Sequence, residues 1–139
     1  MLANRHKMCL PRLVSENRSA FVPGRLITDN ELVAFEVMHH LRLSTNGKKA
    51  FMAFKLDMSK AYDRVEWNFL EALMRKMGFD KKWIGWVMEC VRSVSYSVLV
   101  NGQPRPSFKP SRGIRQGDPL SPYLFILCLK HLSILLEEV

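Results

Sequence analysis

Asp57 is the residue around which chemistry can be built. It closes residues 51–57, where Met52, Phe54 and Leu56 alternate with Ala53, Lys55 and Asp57. Period two is a strand signature, so Asp57 ends that strand on its more polar face, where a cleft can open. Tyr62 follows five residues later, in Asp57-Met58-Ser59-Lys60-Ala61-Tyr62-Asp63-Arg64. A carboxylate so placed suits phosphoryl transfer, in which carboxylates hold paired divalent ions that clamp the attacking and leaving oxygens. Mg²⁺ takes few protein carboxylates and completes its shell with substrate phosphates and water. Taken alone, such an aspartate is more often a cap or turn residue.

A second constellation is Arg112-Gly113-Ile114-Arg115-Gln116-Gly117-Asp118-Pro119-Leu120-Ser121-Pro122. Two glycines and two arginines ahead of a helix start suit a phosphate or nucleotide cradle. The glycine spacing and the missing lysine exclude a Walker loop. The bland reading is a tight connection with solvated arginines. A third segment, residues 19–30, sets Arg25 before a helix start and by itself reads as a surface turn.

The elements that must position these residues alternate between helix and strand. A helix over the first eight residues is expected to stop at Pro11. A polar loop ends in Pro23-Gly24. Thr28-Asp29-Asn30 offer capping oxygens to a helix carrying Leu32, Val33, Phe35, Val37, Met38, Leu41 and Leu43, and Asn46-Gly47 ends it. Beyond Asp57, a helix from Trp67 to Met77 has the stripe Phe69, Leu70, Leu73, Met74 and Met77, with Gly78 as its C-cap. Asp80 caps the next helix, whose buried side is Trp83, Ile84, Val87, Met88 and Val91. Residues 95–100 form a strand, and Asn101-Gly102 signals a hairpin. Pro104, Pro106 and Pro110 confine the return strand to an edge or a loop. Ser121-Pro122 then opens a helix that is apolar nearly all round, with serine as N-cap, so it belongs in a core.

Length and composition set the outer bounds. A chain of 139 residues that is 47% hydrophobic and 24% charged is one globular domain at most. No run approaches the roughly 18 apolar residues of a membrane span. The first residues lack the apolar core of a signal peptide. Cys9, Cys90 and Cys128 form no C-x-x-C, and His6, His39, His40 and His131 share no ligand spacing with them. The spacing argues against a zinc or thioredoxin-like site, and all seven read as core or surface residues of a reducing compartment. The net charge of +8 fits a polyanion partner, with nucleic acid the commonest.

Together the three segments are specific. "SAFVPGRLITDN", "FKLDMSKAYDRVEW" and "SRGIRQGDPLSPYLF" occur in the order and approximate spacing of reverse transcriptases from non-long-terminal-repeat (LINE-type) retrotransposons. The wording resembles plant members most, and the likeness covers essentially the whole chain. It implies an α+β fold: the fingers and palm of a right-hand polymerase, with an antiparallel palm sheet in which 51–57 is a central strand. Residues 1–50 would be a fingers-like segment and 51–139 an incomplete palm.

The resemblance also implies roles. Asp57 would be a catalytic metal ligand, joined by the Met58 carbonyl. The amides near Lys60 and Ala61 would meet the triphosphate. Tyr62 would stack under the sugar and fill the space of a ribose 2′-OH. Gln116 and Gly117 would lie beside the nascent base pair, where glycine lets the backbone approach closely. Arg25, Arg112 and Arg115 would contact template or primer phosphates, and Asp63 would hold an arginine or touch a metal. The implied partners are an RNA template, a DNA primer and deoxynucleotides, with Mg²⁺, no small-molecule cofactor and no membrane. The implied setting is cytoplasmic synthesis followed by nuclear action.

The family's aromatic-Ala-Asp-Asp tetrad is absent, and the sequence has no Asp-Asp pair. The chain therefore reads as cut at both ends, and one aspartate cannot hold two metals. The expectation is a polymerase fragment that is inactive alone. Two alternatives remain: a non-catalytic nucleic-acid-binding fragment, or a decayed retrotransposon reading frame with no function.

Overall fold

The computed structural model describes residues 2–13, 24, 26–43, 52, 53, 55 and 57–137. Among them the order is α1 (Leu2–Leu13), α2 (Ile27–Leu43), a 3₁₀ turn (Tyr62–Arg64), α3 (Trp67–Lys76), α4 (Lys81–Arg92), β1 (Leu99–Val100), β2 (Gln103–Pro104) and α5 (Ser121–Glu137). The chain is thus mixed α+β, with helices dominant and one small antiparallel sheet.

The core lies where helical periodicity puts it. Leu70, Leu73 and Met74 of α3 face Ile84, Val87, Met88 and Val91 of α4, and Leu124 and Leu127 of α5 close the same cluster. Each such side chain contributes about 1.5–3 kcal/mol by leaving water. The turn between α3 and α4 is built from local bonds. Gly78 has φ +80°. Its N–H donates to the Arg75 carbonyl and the Phe79 N–H to the Met74 carbonyl, each at 3.1 Å. This pairing closes a helix through a left-handed residue. Asp80 then caps α4 by accepting from the Lys82 N–H at 2.8 Å. Across the pair, Glu71 binds Arg75 at 2.5 Å and Arg92 at 2.8 Å. Those two hydrogen bonds hold its carboxyl below the usual range, although an exposed network adds little stability.

His6 docks α1. Its ring is 1% exposed. It stacks on Phe79 with centroids 5.5 Å apart, on Trp83 at 6.2 Å, and tilts against Tyr123 at 6.4 Å. Neither ring nitrogen has a partner among the described residues. Burial lowers its pKa from 6.5 to about 4.

Several boundaries differ from the sequence expectation. α1 runs through Pro11 to Leu13 instead of stopping. Pro11 falls in the last turn, where it forfeits one backbone bond and leaves the docked first turns intact. α2 starts at Ile27, so Thr28, Asp29 and Asn30 lie inside its first turn. Asp29 reaches back to accept the Leu26 N–H at 3.1 Å while its own N–H donates to the Leu26 carbonyl, a reciprocal capping arrangement. The expected apolar face of α2 is exposed, Phe35 by 73%. α5 is entered through Asp118, not Ser121: the Asp118 carboxylate accepts the Leu120 N–H at 2.7 Å. The buried Ser121 is the first helical residue.

The strand expected over 51–57 lies partly outside the described residues. Its described positions 52, 53, 55 and 57 join no ladder, and residues 51, 54 and 56 lie outside the described residues. A strand is stable only beside a neighbour, and the described sheet pairs just β1 with β2. Asn101 and Gly102 make the expected hairpin turn with φ +52° and +77°. The paired strands are shorter than expected, extended by an isolated Tyr96–Phe108 bridge.

One junction places the site. Gly113 has φ +89°, and a Cβ there would stand 3.2 Å from both the Cα and the carbonyl oxygen of Asp63. Its N–H donates to the Val65 carbonyl at 2.8 Å, and the Ile114 N–H donates to the Tyr62 carbonyl at 3.0 Å. The Trp67 indole N–H donates to the Gly113 carbonyl at 2.7 Å. Any side chain there would be strained by the dihedral and tightly crowded by the Asp63 backbone.

Two predictions follow from these contacts. Gly113→Ala loses roughly 1–3 kcal/mol from backbone strain alone, before the steric clash, read as a lower urea midpoint. The unfolded chain protonates His6 before the folded one does, so stability is complete above pH 6.5 and falls as pH drops towards about 4. The loss amounts to about 3 kcal/mol, and His6→Phe flattens that part of the stability–pH curve.

Candidate functional site

Residues 57–64 and 112–118 meet at the Gly113 junction. Asp57, Met58 and Lys60 are exposed on the approach to the 3₁₀ turn. Lys60 has φ +52°, a left-handed conformation uncommon for a side-chain-bearing residue. Ala61 and Tyr62 are half-buried. The Tyr62 ring tilts on Phe125 of α5 with centroids 5.0 Å apart. Burial raises its pKa, so the side chain is a neutral phenol at physiological pH.

On the other side, Arg115, Gln116 and Gly117 are exposed. Gly117 has φ +82°, which makes the turn before Asp118. Arg112 pairs with Glu66 at 3.3 Å, with both side chains more than half exposed. Ile114 is buried and anchors this loop to the core. Backbone bonds from Gly113 and Ile114 therefore join the Tyr62 turn to the segment that leads on to Gln116 and Gly117. Arg25 lies outside the described residues. Asp63, expected to hold an arginine or touch a metal, forms no ion pair among the described residues and instead packs its backbone on Gly113.

The cavities beside this junction differ in kind. The enclosed space between Tyr96, Arg115 and Asp118 has about 20 Å³, room for one water and not for a nucleotide. An open groove of about 440 Å³ runs between Met58, Ala61 and Val65 on one side and Phe125, Leu129 and Leu132 of α5 on the other. It is almost wholly apolar. Cys128 lines it, and burial pushes its thiol up to about 11, so it is not a nucleophile at neutral pH.

The residues present do not fit a complete metal centre. Among the described residues no three His, Cys, Asp or Glu side chains come close enough to hold an ion. A single exposed carboxylate at Asp57 does not replace the several that a pair of divalent ions needs.

Two residues at the junction escaped sequence reading. Glu66 and Trp67 are consecutive, and they bind the consecutive Arg112 and Gly113. Trp67 was legible as the start of a helix, but nothing in its local pattern names a partner 46 residues away.

The family model for reverse transcriptase (RNA-dependent DNA polymerase) matches residues 1–139. The chain is 31% identical over 134 residues to the transposon TX1 uncharacterized 149 kDa protein of Xenopus laevis, covering 96% of this chain and 10% of that protein. It is 30% identical over 112 residues to the retrovirus-related Pol polyprotein from the type-2 retrotransposable element R2DM of Drosophila melanogaster, covering 81% of this chain and 10% of the relative. An R2 Pol polyprotein of Popillia japonica is 29% identical over 100 residues, 72% of this chain and 16% of the relative. The chain thus spans between a tenth and a sixth of these relatives' length. Matched end to end by the family model, and kin to the polyproteins of non-long-terminal-repeat retrotransposons, the chain belongs to the reverse transcriptase family.

Proposed function

We propose that this chain is the part of an RNA-directed DNA polymerase that receives the incoming deoxynucleotide and the primer end. The observation that carries this reading is the Gly113 junction, where backbone hydrogen bonds from Gly113 and Ile114 hold the Tyr62 turn, two residues before Gln116 and Gly117. In this reading Tyr62 stacks on the sugar and excludes a 2′-OH. The backbone near Lys60 and Ala61 meets the triphosphate. Gln116 and Gly117 lie along the new base pair, where a Cβ-free residue lets the backbone approach. Arg25, Arg112 and Arg115 contact backbone phosphates of template or primer. Residues 1–50 serve as the fingers-like part and 51–139 as part of the palm.

Asp57 and the Met58 carbonyl are this chain's contribution to a Mg²⁺ centre. Because the described residues do not complete that centre, we infer that the chain by itself does not polymerise. A second reading is non-catalytic binding to nucleic acid. It is favoured by the net charge of +8 and by Arg112 and Arg115 exposed on one loop.

Primer extension on an RNA template with Mg²⁺ and all four deoxynucleotides is expected to give no product with this chain. Product that disappears in Asp57→Ala overturns the inference of inactivity. Binding to an RNA–DNA hybrid tests both readings together. Affinity should fall linearly on a log–log plot against salt, and Arg115→Ala should reduce the slope by about 0.7–0.9. Glu66→Gln frees Arg112 from its internal anion and should tighten binding. Salt-insensitive or absent binding removes both readings.

A further inference from the structure

We propose that Trp67 is a positioning residue, which sets how closely the sugar of an incoming nucleotide is gauged at Tyr62. This rests on the nucleotide reading of the junction given above. Trp67 opens α3, and α3 is anchored by Leu70, Leu73 and Met74 in the core. Its indole is half-buried against that core, so its N–H is a fixed donor. The hold then passes along the chain. Trp67 fixes the Gly113 carbonyl at 2.7 Å. The Gly113 and Ile114 amides in turn hold the Val65 and Tyr62 carbonyls. Those carbonyls bracket the 3₁₀ turn that carries the Tyr62 ring. The companion tie from Glu66 to Arg112 is longer, at 3.3 Å, and solvent-exposed, so it cannot replace the indole. A part-buried hydrogen bond is electrostatically stronger than an exposed one. Removing the indole N–H therefore loosens both the Tyr62 turn and the loop leading to Gln116.

The test uses the ¹⁵N-labelled 139-residue chain. Trp67→Phe keeps a ring and deletes the donor. Amide hydrogen exchange at Gly113 and Ile114 should quicken at least tenfold, while Leu73 and Val87 keep their protection. Leu73→Ala, a core control, should do the reverse. Crosslinking of deoxyadenosine and adenosine triphosphates to the chain with a primer–template then reads sugar preference. Trp67→Phe should lower that preference about tenfold, as Tyr62→Ala does, and Leu73→Ala should leave it unchanged. If Trp67→Phe does not fold, the wild-type chain still decides: the Trp67 indole proton should exchange at least tenfold more slowly than that of the exposed Trp86. Uniform loss of protection in Trp67→Phe, an unchanged Ile114 amide, or equal exchange of the two indoles overturns the proposal. Faster exchange at Ile114 with a sugar preference indifferent to Tyr62 overturns the nucleotide reading and leaves the hold on the turn standing.

Discussion

The structure turns on the closeness of two backbones. Gly113 lies so close to Tyr62 and Asp63 that an added Cβ would stand 3.2 Å from the Asp63 backbone. Its left-handed dihedral would strain any other residue as well. Around this contact, two backbone bonds and one indole bond make a single unit of segments that are far apart in sequence. Tyr62 depends on that unit for its place, because its carbonyl accepts from Ile114 at one end of a single 3₁₀ turn.

What supports the unit is a helical scaffold, not a sheet. α3 and α4 bury aliphatic faces against each other and against the first half of α5. α5 begins at the end of the Gly113 loop, so the Asp118 turn ties the loop to the helix that carries Phe125, the ring beside Tyr62. The second half of α5 is different. Leu132, Ile134, Leu135 and Leu136 are exposed there, as is Phe69 across the groove. α2 likewise shows its apolar residues to solvent. Among the described residues, buried apolar side chains are therefore concentrated behind the junction. The same burial that anchors α1 leaves His6 without a hydrogen-bond partner, so packing there is gained at the expense of acid tolerance.

Much of this was legible in particular residues. The stripes of α3 and α4, the Gly78 and Asp80 caps and the Asn101-Gly102 turn follow from signals contained within a few positions. Other readings missed because a different local rule won. Ser121 is the first helical residue, not the residue before it, and the Asp118 carboxylate holds the turn ahead of it by accepting the Leu120 N–H. Asp29 caps backwards instead of forwards. Pro11 is tolerated because it sits in the last turn of α1.

By itself the sequence determined the family, through three ordered motifs, and it determined most helices, through periodicity and caps that need no distant partner. Tertiary structure alone decided which residues meet. The apolar face of α2 has the same pattern as a buried one, yet Leu32, Phe35 and Met38 are exposed. Trp67 reads locally as a helix start, and becomes the donor to Gly113 only once the chain has folded back across 46 residues. A hydrogen bond or a close approach belongs to two sites at once, so no window of local sequence holds the information for it.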